Sequence, residues 1–209
     1  MKMKDNIFEE NYFLETNRKF FNGIGNWYDF FFGSLTLKMQ RKIIKNFNIE
    51  ENAVILDAGC GTGTLLSLLE ASEKPLGLYG IDISEKMLNR ARKKLKRSSL
   101  INSPLEHFNF NDKFFNYIFS IHALHHYFDP EETMKSFYLY LKQGGYLIIA
   151  DFSFGSLLNR LLQKIEPGNN MFYLPPEMKR LFQKYRFQDI QQKKISFFTT
   201  MTYGRKIEP

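Results

Sequence analysis

From residue 53 onward the chain alternates short apolar, β-rich runs with amphipathic helical patterns. That alternation constrains the fold more than any other feature: it calls for a mostly parallel sheet with helices on both faces. The first run, 53–57 (Ala-Val-Ile-Leu-Asp), is apolar until a closing acid, as suits a strand buried on both faces. A helix with Leu65, Leu68 and Leu69 on one stripe follows, then a second strand over 76–81 that ends at Asp82. Ser84 is placed to cap the next helix, whose Met87, Ala91 and Leu95 recur every four residues. Strands three and four are read at 99–102 and 115–120. The following helix has Asp129 as N-cap, Pro130 at its first position, and Glu131 and Glu132 favouring the positive end of its dipole. Met134, Phe137, Tyr138 and Leu141 form its buried face; Gly144-Gly145 is expected to end it, and 146–151 is the fifth strand.

The tail breaks the rhythm. A helix carrying Met178, Leu181, Phe182 and Tyr185 precedes two β-like runs, 187–195 and 197–205. Parallel neighbours need a crossover of about a dozen residues or more, which is not available here, so this pair is antiparallel. The expectation is one α/β domain over 1–209 with a seven-stranded sheet. Residues 1–50 form a helical cap, with Leu35, Met39, Ile43 and Phe47 at four-residue spacing, and 51–206 form the core. Within that core, 155–175 (Leu157, Leu158, Leu161, Leu162, Ile165) reads either as a helix packed on the sheet or as a lid over an apolar acceptor.

Composition narrows the classes. Of 209 residues 44% are hydrophobic and 16% aromatic, enough for a large core and against a disordered chain. No run approaches the roughly 20 apolar residues of a spanning helix, and the polar N-terminus lacks the apolar block of a secretory signal. A single cysteine, Cys60, excludes an internal disulfide, and a cytoplasmic location is expected. The net charge of +7 raises the question of nucleic acid. However, Lys86, Arg90, Lys93, Lys94 and Arg97 interleave with Met87, Ala91 and Leu95, the pattern of a solvated helix face. Nucleic acid is therefore not an expected partner, while attraction to an anionic membrane surface stays open. A monomer and a homodimer are equally compatible with the sequence.

In an open α/β sheet, ligands bind beyond the carboxyl ends of the strands, where strand order reverses. The loop after strand one is Asp57-Ala58-Gly59-Cys60-Gly61-Thr62-Gly63. Its glycines permit positive φ and a close approach of backbone N–H groups to a ligand. The spacing is G-x-G-x-G rather than the G-x-G-x-x-G of a pyrophosphate site, and an acid precedes it. A carboxylate there repels a diphosphate but can hold an ammonium group. Asp82, 19 positions after Gly63 (82 − 63), can accept both hydroxyls of a ribose or can cap the helix behind it. Nothing near Cys60 in sequence supplies a base that would make it a nucleophile.

These residues resemble a known family. Residues 54–63 are similar to motif I of the class I S-adenosylmethionine-dependent methyltransferases, and Gly80-Ile81-Asp82-Ile83-Ser84 to their ribose motif. The similarity continues through Phe115-Asn116-Tyr117-Ile118, Ala123-Leu124-His125-His126 and Leu141-Lys142-Gln143-Gly144-Gly145. Trp27-Tyr28-Asp29, Tyr173-Leu174-Pro175-Pro176 and Gly204-Arg205-Lys206 resemble the ubiquinone/menaquinone-biosynthesis branch. The resemblance implies a Rossmann-like sheet, S-adenosylmethionine as cofactor (S-adenosylhomocysteine as product) and a small-molecule acceptor, such as a quinone precursor or another apolar or aromatic metabolite. It further implies that Gly59, Gly61 and Thr62 surround the methionine part, with Asp57 near its ammonium and Tyr28 closing over that end. Asp82 would hold the ribose, Ile83 and Leu105 would meet the adenine, and Ser120 and Ile121 would approach the sulfonium.

The chain departs from the pattern at Pro104, where an acid or Asn is usual. Ser103, Glu106 or backbone must then serve the adenine amino group. Asn116 stands for the usual Asp, and 155–175 is shorter than in the quinone enzymes. An acceptor that must lose a proton needs a base, and His122, His125 or His126, just past strand four, could serve, His125 and His122 foremost. His125 and His126 read equally as packing residues, and His107 has no assigned role. Adjacent histidines without a carboxylate or cysteine at ligand spacing do not make a metal site. Three rivals stay open on a similar fold: an RNA methyltransferase, a nucleotide-dependent oxidoreductase and a non-catalytic binding module that has kept the fold.

Overall fold

The computed structural model describes residues 2–110, 114–153 and 172–207, with side chains for 7–23 and from 33 onward within those ranges. Seven strands form one sheet: β1 (Val54–Ala58), β2 (Gly77–Asp82), β3 (Ser99–Asn102), β4 (Phe115–Ile121), β5 (Leu141–Phe152), β6 (Phe187–Lys194) and β7 (Thr199–Lys206). Their order is β3-β2-β1-β4-β5-β7-β6. Strands β1 to β5 pair in parallel, and β7 pairs antiparallel with both β5 and β6, as the short tail connection requires. Strand order reverses between β1 and β4, which opens a crevice at their carboxyl ends.

The alternation of side chains along each strand splits the core in two. On one face Ile55, Phe119, Ile148 and Ala150 pack with Leu65, Leu66 and Leu69 of α2 (Thr64–Glu70), Leu88 and Ala91 of α3 (Glu85–Lys94), and Met39 and Ile43 of α1 (Lys2–Ile44). On the other, Leu56, Ile118, Leu147 and Ile149 pack with Met134 and Phe137 of α4 (Pro130–Tyr140). Met178, Leu181 and Phe182 of α5 (Pro175–Lys184) complete that face. Each fully buried Leu, Ile or Phe contributes roughly 1.5–3 kcal/mol.

The caps hold the helices in register with the strands. Asp129 accepts from the backbone N–H groups of Glu131 and Glu132, both at 3.0 Å. Ser84 Oγ accepts from Met87 N (3.2 Å) and donates to Asn22 Oδ1 on α1 (2.8 Å), so one hydroxyl starts α3 and pins α1 to it. Asn116 Oδ1 accepts from Val54 N at 2.9 Å, clipping the start of β1 to β4.

One expectation needs correction. Helix α4 ends at Tyr140, not at Gly144-Gly145, because buried Leu141 is already extended and pairs with Phe115. The glycines lie inside β5, where the register with β4 shifts between Phe115 and Tyr117 and Gly144 takes a φ of +76°. The helical pattern expected before the core is seen as the single helix α1, Lys2–Ile44. Most of the segment read as packing or lid (154–171) lies outside the described residues, as do the side chains of Trp27, Tyr28 and Asp29.

Candidate active site

The crevice at the strand-order reversal is a cleft floored by the β1–α2 loop. Gly59, Gly61 and Gly63 take φ of +78°, +53° and +75°. The N–H groups of Gly59 and Cys60 both donate to Ile81 O, tying the loop to the end of β2. A Cβ on Gly59 would sit 2.5 Å from Ala123 Cβ, so this glycine lets the loops after β1 and β4 touch. At Gly61 a Cβ would meet nothing within 4 Å: the space above it is open and belongs to the cleft.

Asp82 organises the floor. Its Oδ2 accepts from Gly61 N and its Oδ1 from Ser84 N, both at 2.8 Å. Each oxygen keeps further acceptor capacity, so the contact at the helix entry does not preclude one to a hydroxyl group in the cleft. Burial pushes its pKa up to about 6 against the pull of those two N–H groups. Asp57 lies behind the loop, 3% exposed, and does not line the cleft. Burial, then the Asp82 charge, raises its pKa to about 8. Asp82 ionises first, and its charge helps to hold the proton on Asp57. The cleft therefore has one acid in its floor, Asp82, and a second, Asp57, buried behind it, and a nearby cation would favour the ionised form of both. The same surroundings push the Cys60 thiol well up, burial foremost, which keeps it a poor nucleophile.

The cleft brings together Gly59, Gly61, Thr62, Asp82, Ile83, Leu105, Ile121 and His122 of the sequence-derived set. Ser103, Pro104 and Glu106 also line it. It does not bring in Asp57, Ser120 or His125, which are buried behind its wall. The sequence reading missed the contribution of α1, whose Leu14, Asn17, Phe21, Thr36 and Gln40 line the cleft, as do Met87 and Tyr127. Gln40 Oε1 is buried with no hydrogen-bond partner among the described residues, an acceptor that a ligand N–H or O–H would satisfy. No periodicity marks Gln40 or Asn17 as anything but polar helix positions.

The three histidines after β4 have different surroundings. His122 adopts a left-handed φ of +51°, stacks on Phe152 at 4.1 Å and places Nε2 3.0 Å from Thr199 Oγ1. A non-glycine residue in that region stores strain, a frequent mark of a working site. His126 also faces the cleft, with Nδ1 3.1 Å from Asn17 Oδ1. His125, expected as a candidate base, is 1% exposed and turned from the cleft. Its Nδ1 lies 2.7 and 2.9 Å from the two oxygens of Asp151. A carboxylate partner does exist, then, but 26 residues away at the end of β5. Burial works to raise the Asp151 pKa, and His125, with His122 further off, outweighs it and lowers the group.

A family model described as a methyltransferase domain matches residues 49–197. The chain belongs to the class I S-adenosylmethionine-dependent methyltransferases. It is 30% identical over 125 residues to a demethylmenaquinone methyltransferase of Listeria welshimeri, a match covering 57% of this chain and 53% of that relative. The chain thus spans about half the length of the curated relatives it matches. Among solved structures, it resembles the methyltransferase of a Haloferax volcanii complex with the Trm112 methyltransferase activator. That match has a TM-score of 0.82 and 18% identity, covering 90% of this chain and 98% of the other. It also resembles Haemonchus contortus phosphoethanolamine N-methyltransferase 2, solved with S-adenosyl-L-methionine, at a TM-score of 0.67 and 18% identity (81% and 52% covered). Class I membership sets aside the oxidoreductase reading, and these methyltransferase relatives do not favour RNA as the acceptor.

Proposed function

We infer that the cleft holds S-adenosylmethionine along its acidic floor and methylates a small apolar or aromatic acceptor of the quinone-precursor kind. The observation that carries this reading is the Gly61–Asp82 contact beneath an open space, backed by the reluctant acid Asp57. The residues fit the cofactor. Asp82 offers free lone pairs to the ribose hydroxyls, and Gly59, Gly61 and Thr62 supply close backbone at the methionine end. Gln40 Oε1 is an acceptor in want of a donor. Ile83 and Leu105 provide an apolar slot for the adenine, where Glu106 stands in for the acid missing at Pro104. Tyr28 is assigned to the methionine end, and Ser120 and Ile121 to the sulfonium.

When bound, the cofactor supplies an electrophilic methyl carbon. The protein's part is to align an acceptor and exclude water. His122 is our candidate to take a proton from the acceptor, through Nδ1, since its ring stacks on Phe152 and its Nε2 lies against Thr199 Oγ1. His125, locked to Asp151 behind the wall, acts as a positioning residue for the loop that carries His122 and His126. The apolar side of the reading draws on Phe21, Leu14 and Ile121 around the cleft, and on relatives that act on demethylmenaquinone.

Calorimetry with S-adenosylmethionine tests the reading. Micromolar binding is expected, lost on Asp82→Ala; no heat from folded wild-type protein would refute it.

A further inference from the structure

The β6–β7 hairpin turns through Lys193-Lys194-Ile195-Ser196-Phe197-Phe198. Water surrounds most of its aromatic end: Phe197 is 76% and Phe198 47% exposed. The two rings meet edge to face with centroids 4.8 Å apart, and Lys194 Nζ lies 5.1 Å over the Phe197 ring. Solitary exposed apolar residues are ordinary, but two adjacent phenyl rings on a convex tip, flanked by lysines, are not.

Beside the tip runs a basic stripe of α1. Lys42 Nζ donates to Ile195 O at 2.5 Å, and Lys193 Nζ donates to Asn46 Oδ1 at 2.7 Å, so helix and hairpin form one continuous surface. Leu35, Lys38, Lys42 and Lys45 follow one another at helical spacing on this stripe, and all are exposed. Neither 30–49 nor 190–207 contains a single Asp or Glu, so the cations of this surface have no acid within their own segments. The tip also sits at the cleft's edge of the sheet. Thr199 pairs with Phe152 at the carboxyl end of β5, and its Oγ1 touches His122.

We propose that this tip and stripe dock the protein on an anionic lipid surface. The rings enter the boundary between headgroups and acyl chains while the lysines and Arg41 meet lipid phosphates. Aromatic and basic residues side by side suit that interface, where one end of the contact is apolar and the other charged. A nucleic-acid strand would instead call for rings lining a groove in which bases stack. Docked in this way, the His122 side of the cleft stands next to the bilayer, from which an apolar acceptor can enter without crossing water. That last consequence rests on the methyl-transfer reading; the docking itself does not.

Cosedimentation of the full chain with vesicles tests the proposal, comparing phosphatidylcholine alone with an equal mixture of phosphatidylcholine and phosphatidylglycerol. The protein is expected to sediment with the anionic vesicles, to be released by salt, and to leave neutral vesicles largely unbound. Phe197→Ser with Phe198→Ser should weaken binding tenfold or more, and Lys193→Gln with Lys194→Gln by about 25-fold. Both double variants should bind S-adenosylmethionine as the wild type does, which shows that they fold. Wild-type protein that ignores anionic vesicles would overturn the proposal. So would an aromatic variant that sediments unchanged, or single-stranded RNA capture without vesicle binding. Vesicle binding with no response to S-adenosylmethionine would leave docking intact and strike only at the methyl-transfer reading.

Discussion

Replacing Asp57 by Asn gives a near-isosteric side chain that cannot ionise, and the buried floor makes its effect calculable. The Asp57 carboxyl has its pKa raised from an ordinary 3.8 to about 8 by burial and the Asp82 charge. In the unfolded chain the group ionises at its ordinary value. Between those limits the folded state holds one proton that the unfolded state gives up. Its contribution is therefore fully present below pH about 4, falls as pH rises, and is gone above pH about 8. The slope for one proton is about 1.4 kcal/mol per pH unit. From pH 5 to pH 7 the advantage of Asp57→Asn over wild type should grow by about 2.7 kcal/mol as an upper bound, and by about 1–2 kcal/mol where water enters the cleft. At roughly 2–4 °C per kcal/mol for a chain of this size, the gap in Tm should widen by about 2–10 °C. Thermal unfolding of both proteins, without ligand, at half-unit steps of pH reads this directly. A constant offset between the two proteins, whatever its size, would show that Asp57 is already ionised in the fold and would refute the reasoning.

The same variant should bind S-adenosylmethionine at least tenfold more weakly by calorimetry, since the latent anion beneath the loop is gone; the gain in stability and the loss of affinity share one cause. Gly59→Ala forces a side chain into a φ of +78° and onto Ala123 at 2.5 Å, so chemical denaturation should show a loss of about 2–4 kcal/mol. His125→Ala takes the close imidazole partner from the buried Asp151 carboxylate, leaving it the Phe152 N–H, and should cost about 3 kcal/mol, with less than additive loss when Asp151→Asn is added. Because His125 holds the Asp151 pKa down, the stability from that pair should fade as pH drops below the ordinary carboxylate range, measurable as an acid-side fall in Tm absent from His125→Ala. Asp129→Ala removes the carboxylate oxygen that accepts from two N–H groups at the start of α4 and should lower stability by about 1 kcal/mol in urea.

Local signals carried much of the fold. Strand ends marked by acids, the Ser84 and Asp129 caps, and the short link before β7 all appear in the structure as the pattern implies, because each is set by neighbours a few residues away. The end of α4 was misread because two signals competed. Gly144-Gly145 is a helix terminator by composition, yet Leu141 gains more by pairing with Phe115 in the sheet. The floor of the cleft was legible for the same local reason, since Gly61 and Asp82 sit at strand ends. Its walls were not. Gln40 and Asn17 reach the cleft only because α1 lies across α2 and α3, and His125 meets Asp151 only because β4 and β5 are neighbours. Such contacts belong to tertiary placement, which residue spacing does not encode.

Strand β7 follows β6 in sequence yet lies inside the sheet, with β5 on one side and β6 on the other, and Lys206 at its end donates to the carbonyls of Tyr138 and Leu141. A chain emerging from the ribosome can therefore assemble β1 to β5 but leaves the flank of β5 bare until residues 199–206 have cleared the exit tunnel. Removing residues 199–206 would accordingly be costly, since it takes out the strand that ties β6 to β5. A nascent polypeptide stalled before Thr199 would be the aggregation-prone species, with the edge of β5 left open for want of residues 199–206.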